Sequence, residues 1–352
     1  MKEIKFGKLK IGGRNPVIIV AEIADSHNGS VSTAKKMIKE AKKAGADVVK
    51  FQLHLPDVEM VPNSIKMWSG NLYKILKKNL FTPEMHKAMM NYCKKIGIEY
   101  LCTPFCPEAV DILDELGVKA FKTGSGELTN LPMHRKLAKI SALKNKPVLV
   151  STGMSTWKEV REAVKIYQEE RAKENLILMN CTSEYPPNDY THANLGLIQK
   201  LQKEFRVWVG QSDHTLDNYT AFAAVVLGTK VIEKHFTLDR RQKGPDHAIS
   251  LESQMLKDLV GGIRKIEVAL GDEKQISKEE QVVRDWALHS VVAGRDIKKG
   301  EKLTLQNLMP KRPGSGIPAK FLDKKYSSKL LVKKARRNLS KNTILKWNDI
   351  MI

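Results

Sequence analysis

One rhythm constrains this chain more than any other feature. From Val17 to about Leu270, short apolar runs alternate with segments of helical spacing, eight times in about 255 residues. The runs expected as strands are 17–23, 47–52, 99–103, 120–124, 147–151, 176–181, 207–211 and 230–235. Helical patterns lie between them, among them Thr33–Ala44 ahead of Gly45 and Pro83–Ile96 ahead of Gly97. Glycine just past a periodic segment is a helix stop, because it accepts the left-handed conformation of the C-terminal cap. Strands that alternate with helices build a parallel sheet. Eight such units in this length predict an α/β fold with a closed (β/α)8 barrel rather than an open sheet.

The rhythm stops at Gly271. Residues 272–286 are polar and read as a linker, which gives a barrel domain at 1–271 and a second domain at 287–352. Ser290–Gly300 has the pattern of a strand and turn, and Leu308–Gly316 is too rich in Pro and Gly for a helix. The tail therefore reads as a compact module of short strands.

Charge is the second unusual feature. The chain carries 60 Lys and Arg against 39 Asp and Glu, a net charge of +21. Lysines outnumber arginines 47 to 13, and arginine is the residue that reads nucleic-acid bases in bidentate fashion, so no nucleic-acid partner is expected. Four cysteines (Cys93, Cys102, Cys106, Cys181) make no disulfide framework at this size and read as reduced, buried thiols. The N-terminal residues lack the apolar region of a signal peptide, and no apolar run reaches about 18 residues. A cytoplasmic protein with no membrane partner is expected.

In a barrel of this kind, active sites form at the C-terminal ends of the strands. Ionisable residues gather there: Glu22, Lys50 with Gln52, Lys122, Glu127, Asp213, Glu233, Lys234 and Asp246. Two lysines aimed at one mouth suit a dianion such as a phosphorylated carboxylate. Ser125, Ser151 and Ser212 lie in Gly- and Ser-containing turns as further donors to phosphate oxygens. His214 and His235 end adjacent strands, roughly 4.8 Å apart. Two imidazoles so placed either share a divalent metal, Mn²⁺, Fe²⁺ or Zn²⁺ before Ca²⁺, or are core histidines bonded to backbone.

These stretches resemble the sialic acid synthase family, also called N-acetylneuraminate synthases. The resemblance rests on Ala21–Gly29, Lys50-Phe-Gln52, Thr103-Pro104, Lys122–Glu127 and Ser151–Met154. It continues through Cys181–Pro186, Ser212–Thr215, Glu233–Asp239, Gly244–His247 and Lys311–Gly316, in family order along nearly the whole chain. It implies a TIM barrel followed by a small antifreeze-like (SAF) domain. It implies condensation of phosphoenolpyruvate with an N-acetylated hexosamine, a divalent metal (Mn²⁺ first, with Mg²⁺ or Co²⁺ as alternatives), and a domain-swapped homodimer. Carried over by position, His214 and His235 are metal ligands. Lys50, Thr103, Lys122, Ser125, Ser151, Ser183 and Ser212 hold phosphoenolpyruvate. Gln52, Asn71, Tyr185 and Asp246 contact the sugar, as does Glu22, and Arg312 reaches the N-acyl group from the tail of the neighbouring copy. Glu22 and Glu127 are the catalytic carboxylates.

The sequence departs from the family at Ala24 and Ser26, where Gly and Asn are usual, and at Ser183, which replaces an Asn found in some bacterial members. N-acetylmannosamine is the expected acceptor, which makes the chain an N-acetylneuraminate synthase-type transferase. A 2,4-diacetamido hexose or N-acetylmannosamine 6-phosphate is the alternative. A non-catalytic polysaccharide-binding protein is a remote one, which the intact set of mouth residues opposes.

Overall fold

The computed structural model describes residues 1–62, 65–67, 70–187, 189–244 and 246–351. The chain divides into two compact units, Met1–Gly271 and Asp272–Ile352.

The first unit contains the eight strands: β1 (Ile18–Glu22), β2 (Val48–Leu53), β3 (Glu99–Pro104), β4 (Phe121–Thr123), β5 (Val148–Ser151), β6 (Leu176–Cys181), β7 (Trp208–Asp213) and β8 (Val231–His235). They pair in parallel in the order β3-β2-β1-β8-β7-β6-β5-β4. The two end strands, β3 and β4, also lie against each other, so the sheet is a nearly closed barrel.

The main helix after each strand is, in turn, α1 (Val31–Ala44), α2 (Pro83–Ile96), α3 (Pro107–Leu116), α4 (Leu131–Lys144), α5 (Trp157–Glu169), α6 (Gly196–Phe205), α7 (Tyr219–Val226) and α8 (Ser253–Ala269). Their ends follow the local chemistry. Ser30 Oγ accepts from Thr33 N to start α1, and Gly45 ends it at φ 95°. Among the described residues, no helix is long and apolar enough to cross a membrane.

Side chains on a strand alternate in direction, so every second residue of a barrel strand faces the lumen. Val20, Val48, Leu101, Leu149, Met179 and Val231 share one apolar cluster inside the barrel. Two residues further along the same strands stand Glu22, Lys50, Thr103, Ser151, Cys181 and Glu233. The lumen thus changes from apolar to polar within one step of the pleat. An unanticipated hairpin, Ile4–Phe6 paired with Leu9–Ile11, adds Ile4, Phe6 and Ile11 to that apolar layer. Their alternating pattern is too short to stand out in the sequence. Each fully buried side chain of this size contributes roughly 1.5–3 kcal/mol.

The second unit carries α9 (Lys278–Ala287) and the antiparallel pair β9 (Ser290–Ala293) and β10 (Leu308–Lys311). A second short pair joins Lys334–Ala335 to Ile350–Met351. Val291, Leu303, Leu330, Leu339 and Leu345 belong to a separate small core. The stretch expected as a linker is not extended, because α9 occupies most of it. A reciprocal cap starts that helix: Ser277 Oγ accepts from Glu280 N, and Glu280 accepts from Ser277 N.

Candidate active site

The polar layer at the barrel mouth centres on Glu233. Its Oε1 accepts from Lys50 Nζ of β2 at 2.8 Å and from Ser212 Oγ of β7 at 3.1 Å, and Lys122 Nζ of β4 stands 3.6 Å away. Both lysines and Glu233 are buried. Burial would push the Glu233 carboxyl up, but the two ammonium groups hold it well below the usual carboxylate range. Burial would likewise lower Lys50, yet Glu22 and Glu233 keep it above its ordinary value. Lys122 ends below its ordinary value, because burial outweighs the pull of Glu233. Lys122 also donates to Ser151 Oγ at 2.5 Å.

Glu22 completes this group. It lies 3.4 Å from Lys50, and Gln52 Nε2 donates to its Oε1 at 2.9 Å. Burial raises its pKa to about 7 against the opposing charge of Lys50. Glu127, on the turn after β4, is raised to about 7 for the same reason, and its Oε2 has no hydrogen-bond partner among the described residues. Two carboxyls poised near neutrality beside a cationic centre are equipped to give and take protons.

A second feature lies between the turns after β4, β5 and β6. A Cβ on Gly153 would come 2.5 Å from Ser183 Oγ and 2.7 Å from Ser125 Oγ. The two hydroxyls therefore converge over a glycine that leaves them room. Ser125 Oγ accepts from Gly153 N at 3.2 Å, while Ser183 Oγ is buried without a partner among the described residues. Among the described residues, Thr103 Oγ1 on β3 is likewise buried and unpartnered. Unsatisfied donors of this kind, next to buried cations, suit the oxygens of an anion.

His214 and His235 stand side by side, with ring centroids 5.3 Å apart. His214 Nδ1 donates to Thr182 O at 2.7 Å, which fixes the ring, and the ring also meets the Cys181 thiol. Burial holds His235 well below its ordinary pKa, and its buried Nδ1 has no hydrogen-bond partner among the described residues. Asp246 Oδ1 is 3.9 Å from that nitrogen. The pair fits a divalent cation that takes two imidazoles and fills its shell with oxygens. Among the described residues, no cluster of three or more His, Cys, Asp or Glu forms a complete metal cage.

The remaining expected residues are placed as follows. Tyr185 lies against His214, with ring centroids 4.2 Å apart. Asn71 caps the helix Leu72–Asn79 by accepting from Lys74 N. Arg312 belongs to the second unit, where its guanidinium lies over the Trp286 ring at 5.5 Å. Pro245, within one of the family stretches, lies outside the described residues.

Two residues at the mouth, His54 and Cys181, were not among the expected site residues, and Glu233 was expected there only as an ionisable residue with no assigned role. Glu233 sits two positions before His235 on β8, so both face the lumen, a parity readable in the sequence once the strand is placed. His54 bonds to Gln52 and Glu59 just beyond β2. Cys181 departs from the expectation of an inert buried thiol, being only partly buried. Burial pushes it up, but the hydrogen bond and charge of His214 bring it down to about 7.

The NeuB family pattern matches residues 37–275. The chain belongs to the NeuB family. Residues 289–351 match the SAF domain. The N,N'-diacetyllegionaminic acid synthase of Campylobacter jejuni is 42% identical over 86% of this chain and 92% of its own. The N-acetylneuraminate-9-phosphate synthase of Mus musculus is 37% identical over 86% of this chain and 84% of its own. A crystal structure of the N-acetylneuraminic acid (sialic acid) synthetase of Leptospira borgpetersenii superposes with a TM-score of 0.70 at 32% identity, covering 80% of this chain and 95% of that one. The sequence resemblance and the architecture of this NeuB chain agree: a nearly closed parallel barrel and an SAF domain.

Proposed function

We propose that this chain condenses phosphoenolpyruvate with the open-chain form of an N-acetylated hexosamine, giving a nine-carbon 2-keto acid and phosphate. One observation carries the reading: two buried lysines, Lys50 and Lys122, converge on a single oxygen of Glu233. That centre has one firmly ionised carboxylate for two ammonium groups, so an anionic ligand complements it.

Lys50 and Lys122 bind the carboxylate and phosphate of phosphoenolpyruvate, and Ser125, Ser151, Ser183, Ser212 and Thr103 donate to the remaining oxygens. This fixes carbon 3 of the enol toward the sugar aldehyde. Glu22, with Gln52, Tyr185, Asn71 and Asp246, holds the sugar. His214 and His235 would hold a divalent cation, which would supply Lewis acidity to the sugar carbonyl. As carbon 3 bonds to the aldehyde carbon, carbon 2 becomes electron-poor and takes up water, and phosphate leaves with its bridging oxygen. Glu22 and Glu127 exchange the protons of these steps, consistent with carboxyls raised to about 7. A homodimer in which Arg312 serves the N-acyl group belongs to the same reading.

N-acetylmannosamine is the acceptor expected from the sequence. The likeness to the Campylobacter jejuni enzyme, 42% over 86% of the chain, favours a 2,4-diacetamido hexose as the second reading. The test is phosphate release from phosphoenolpyruvate and Mn²⁺ with N-acetylmannosamine, its 6-phosphate or a 2,4-diacetamido hexose. Release with one of the three is expected. No release with any of them would overturn the synthase reading.

A further inference from the structure

Glu22 does not stand alone at the mouth. Its Oε1 accepts from Gln52 Nε2 at 2.9 Å, and Gln52 Oε1 faces His54 Nε2 at 3.0 Å. The other ring nitrogen, His54 Nδ1, meets Glu59 Oε1 at 2.7 Å. The second Glu59 oxygen accepts from Leu55 N at 2.9 Å, which ties the carboxylate to the backbone at the start of the short helix Pro56–Glu59. The imidazole also stacks on Phe105, with ring centroids 4.1 Å apart and planes 16° apart. His54 is buried, so these contacts are not loosened by water.

An amide side chain has two ends of similar shape and opposite hydrogen-bonding character, and only its partners decide which way it points. Gln52 must present its NH₂ to Glu22, which requires its carbonyl oxygen to have a donor on the other side. His54 is in position to be that donor as an imidazolium, with Nδ1–H going to the Glu59 carboxylate and Nε2–H to Gln52 Oε1, and Glu59 and Phe105 fix the ring so that Nε2 points there. We propose that His54, anchored by Glu59, is a positioning residue that sets the orientation of Gln52 and through it of Glu22, on the sugar side of the site.

The inference rests on the synthase reading, because it assigns Gln52 and Glu22 to the sugar. It predicts an asymmetric effect. None of the groups assigned to phosphoenolpyruvate bonds to His54, whereas both residues in the chain beyond it are assigned to the sugar.

The test is steady-state kinetics of His54→Phe and His54→Gln with each substrate varied in turn, using the acceptor that supports phosphate release in the native protein. Phenylalanine keeps the stack on Phe105 but removes both ring nitrogens. His54→Phe should lower kcat/KM for the sugar by about 10–100-fold, the usual cost of losing such a supporting contact, and leave KM for phosphoenolpyruvate within about twofold. Glutamine can again donate to Gln52 Oε1, so His54→Gln should recover most of the loss. If His54→Phe does not fold, Glu59→Ala, which releases Nδ1 but keeps the ring, should show the same asymmetry to a smaller degree. Equal losses for both substrates, no loss, or no rescue by glutamine would overturn the inference while leaving the synthase reading intact. A native protein that releases phosphate with no acceptor would overturn both.

Discussion

At the scale of single residues, the chemistry turns on which carboxyls stay charged. Glu233 is ionised because two lysines face it, whereas at Glu127 burial outweighs the opposing charge of Lys122 and raises it to about 7. A carboxyl whose pKa is raised in the folded state favours its protonated form. Its contribution to stability is complete below about 4.5 and is lost as pH rises through about 7. Glu127→Gln removes that dependence. Denaturant midpoints should show the variant gaining on the native protein between pH 5 and pH 8, on the order of 1–2 kcal/mol, since solvent screens a half-buried side chain. The same variant should still bind phosphoenolpyruvate but turn over at least 100-fold more slowly. Near-native turnover would remove Glu127 from the proton-transfer role.

At the scale of elements, the barrel was legible because short apolar runs alternate with segments of helical spacing, and glycines such as Gly45 and Gly97 mark the helix ends. The N-terminal hairpin was not, since Ile4, Phe6, Leu9 and Ile11 give too short an alternation. Helix α9 was hidden by its polarity, although Ser277 and Glu280 are spaced as a reciprocal cap. Among site residues, Lys50 and Lys122 stood out as charges in apolar strands. Glu233 was visible as an ionisable residue of the mouth but not as its centre, because it lies in the run Glu233-Lys-His235, and only strand parity separates the lumen-facing Glu233 and His235 from Lys234. Lys234 serves another purpose: it donates to Asp213 Oδ2 at 2.9 Å and to Thr215 O at 2.7 Å, which secures the turn that carries His214. The turn after β5 offers a sharper test. Gly153→Ala would place a methyl group among Ser125, Ser183 and the backbone of Cys181. It should raise KM for phosphoenolpyruvate by about tenfold or more, with a small effect on thermal stability. An unchanged KM would remove these hydroxyls from the anion site.

At the scale of the whole molecule, the charge of +21 divides unevenly. Residues 287–352 hold 16 Lys and Arg against 4 Asp and Glu. In the barrel unit, many lysines occupy the last turns of helices, such as Lys42 and Lys43 in α1, Lys94 and Lys95 in α2 and Lys144 in α4. There they offset the partial negative charge of the helix C-terminus. Lys50 and Lys122 are different, since both are buried at the mouth and both face Glu233. The central claim is that this pair is built for phosphoenolpyruvate. Titration calorimetry of phosphoenolpyruvate into the native protein and into Lys122→Met tests it most directly. The account predicts one molecule bound per chain and at least roughly 100-fold weaker binding in the variant, as for loss of a buried charged partner. Equal binding by both proteins, or none by the native one, would contradict it.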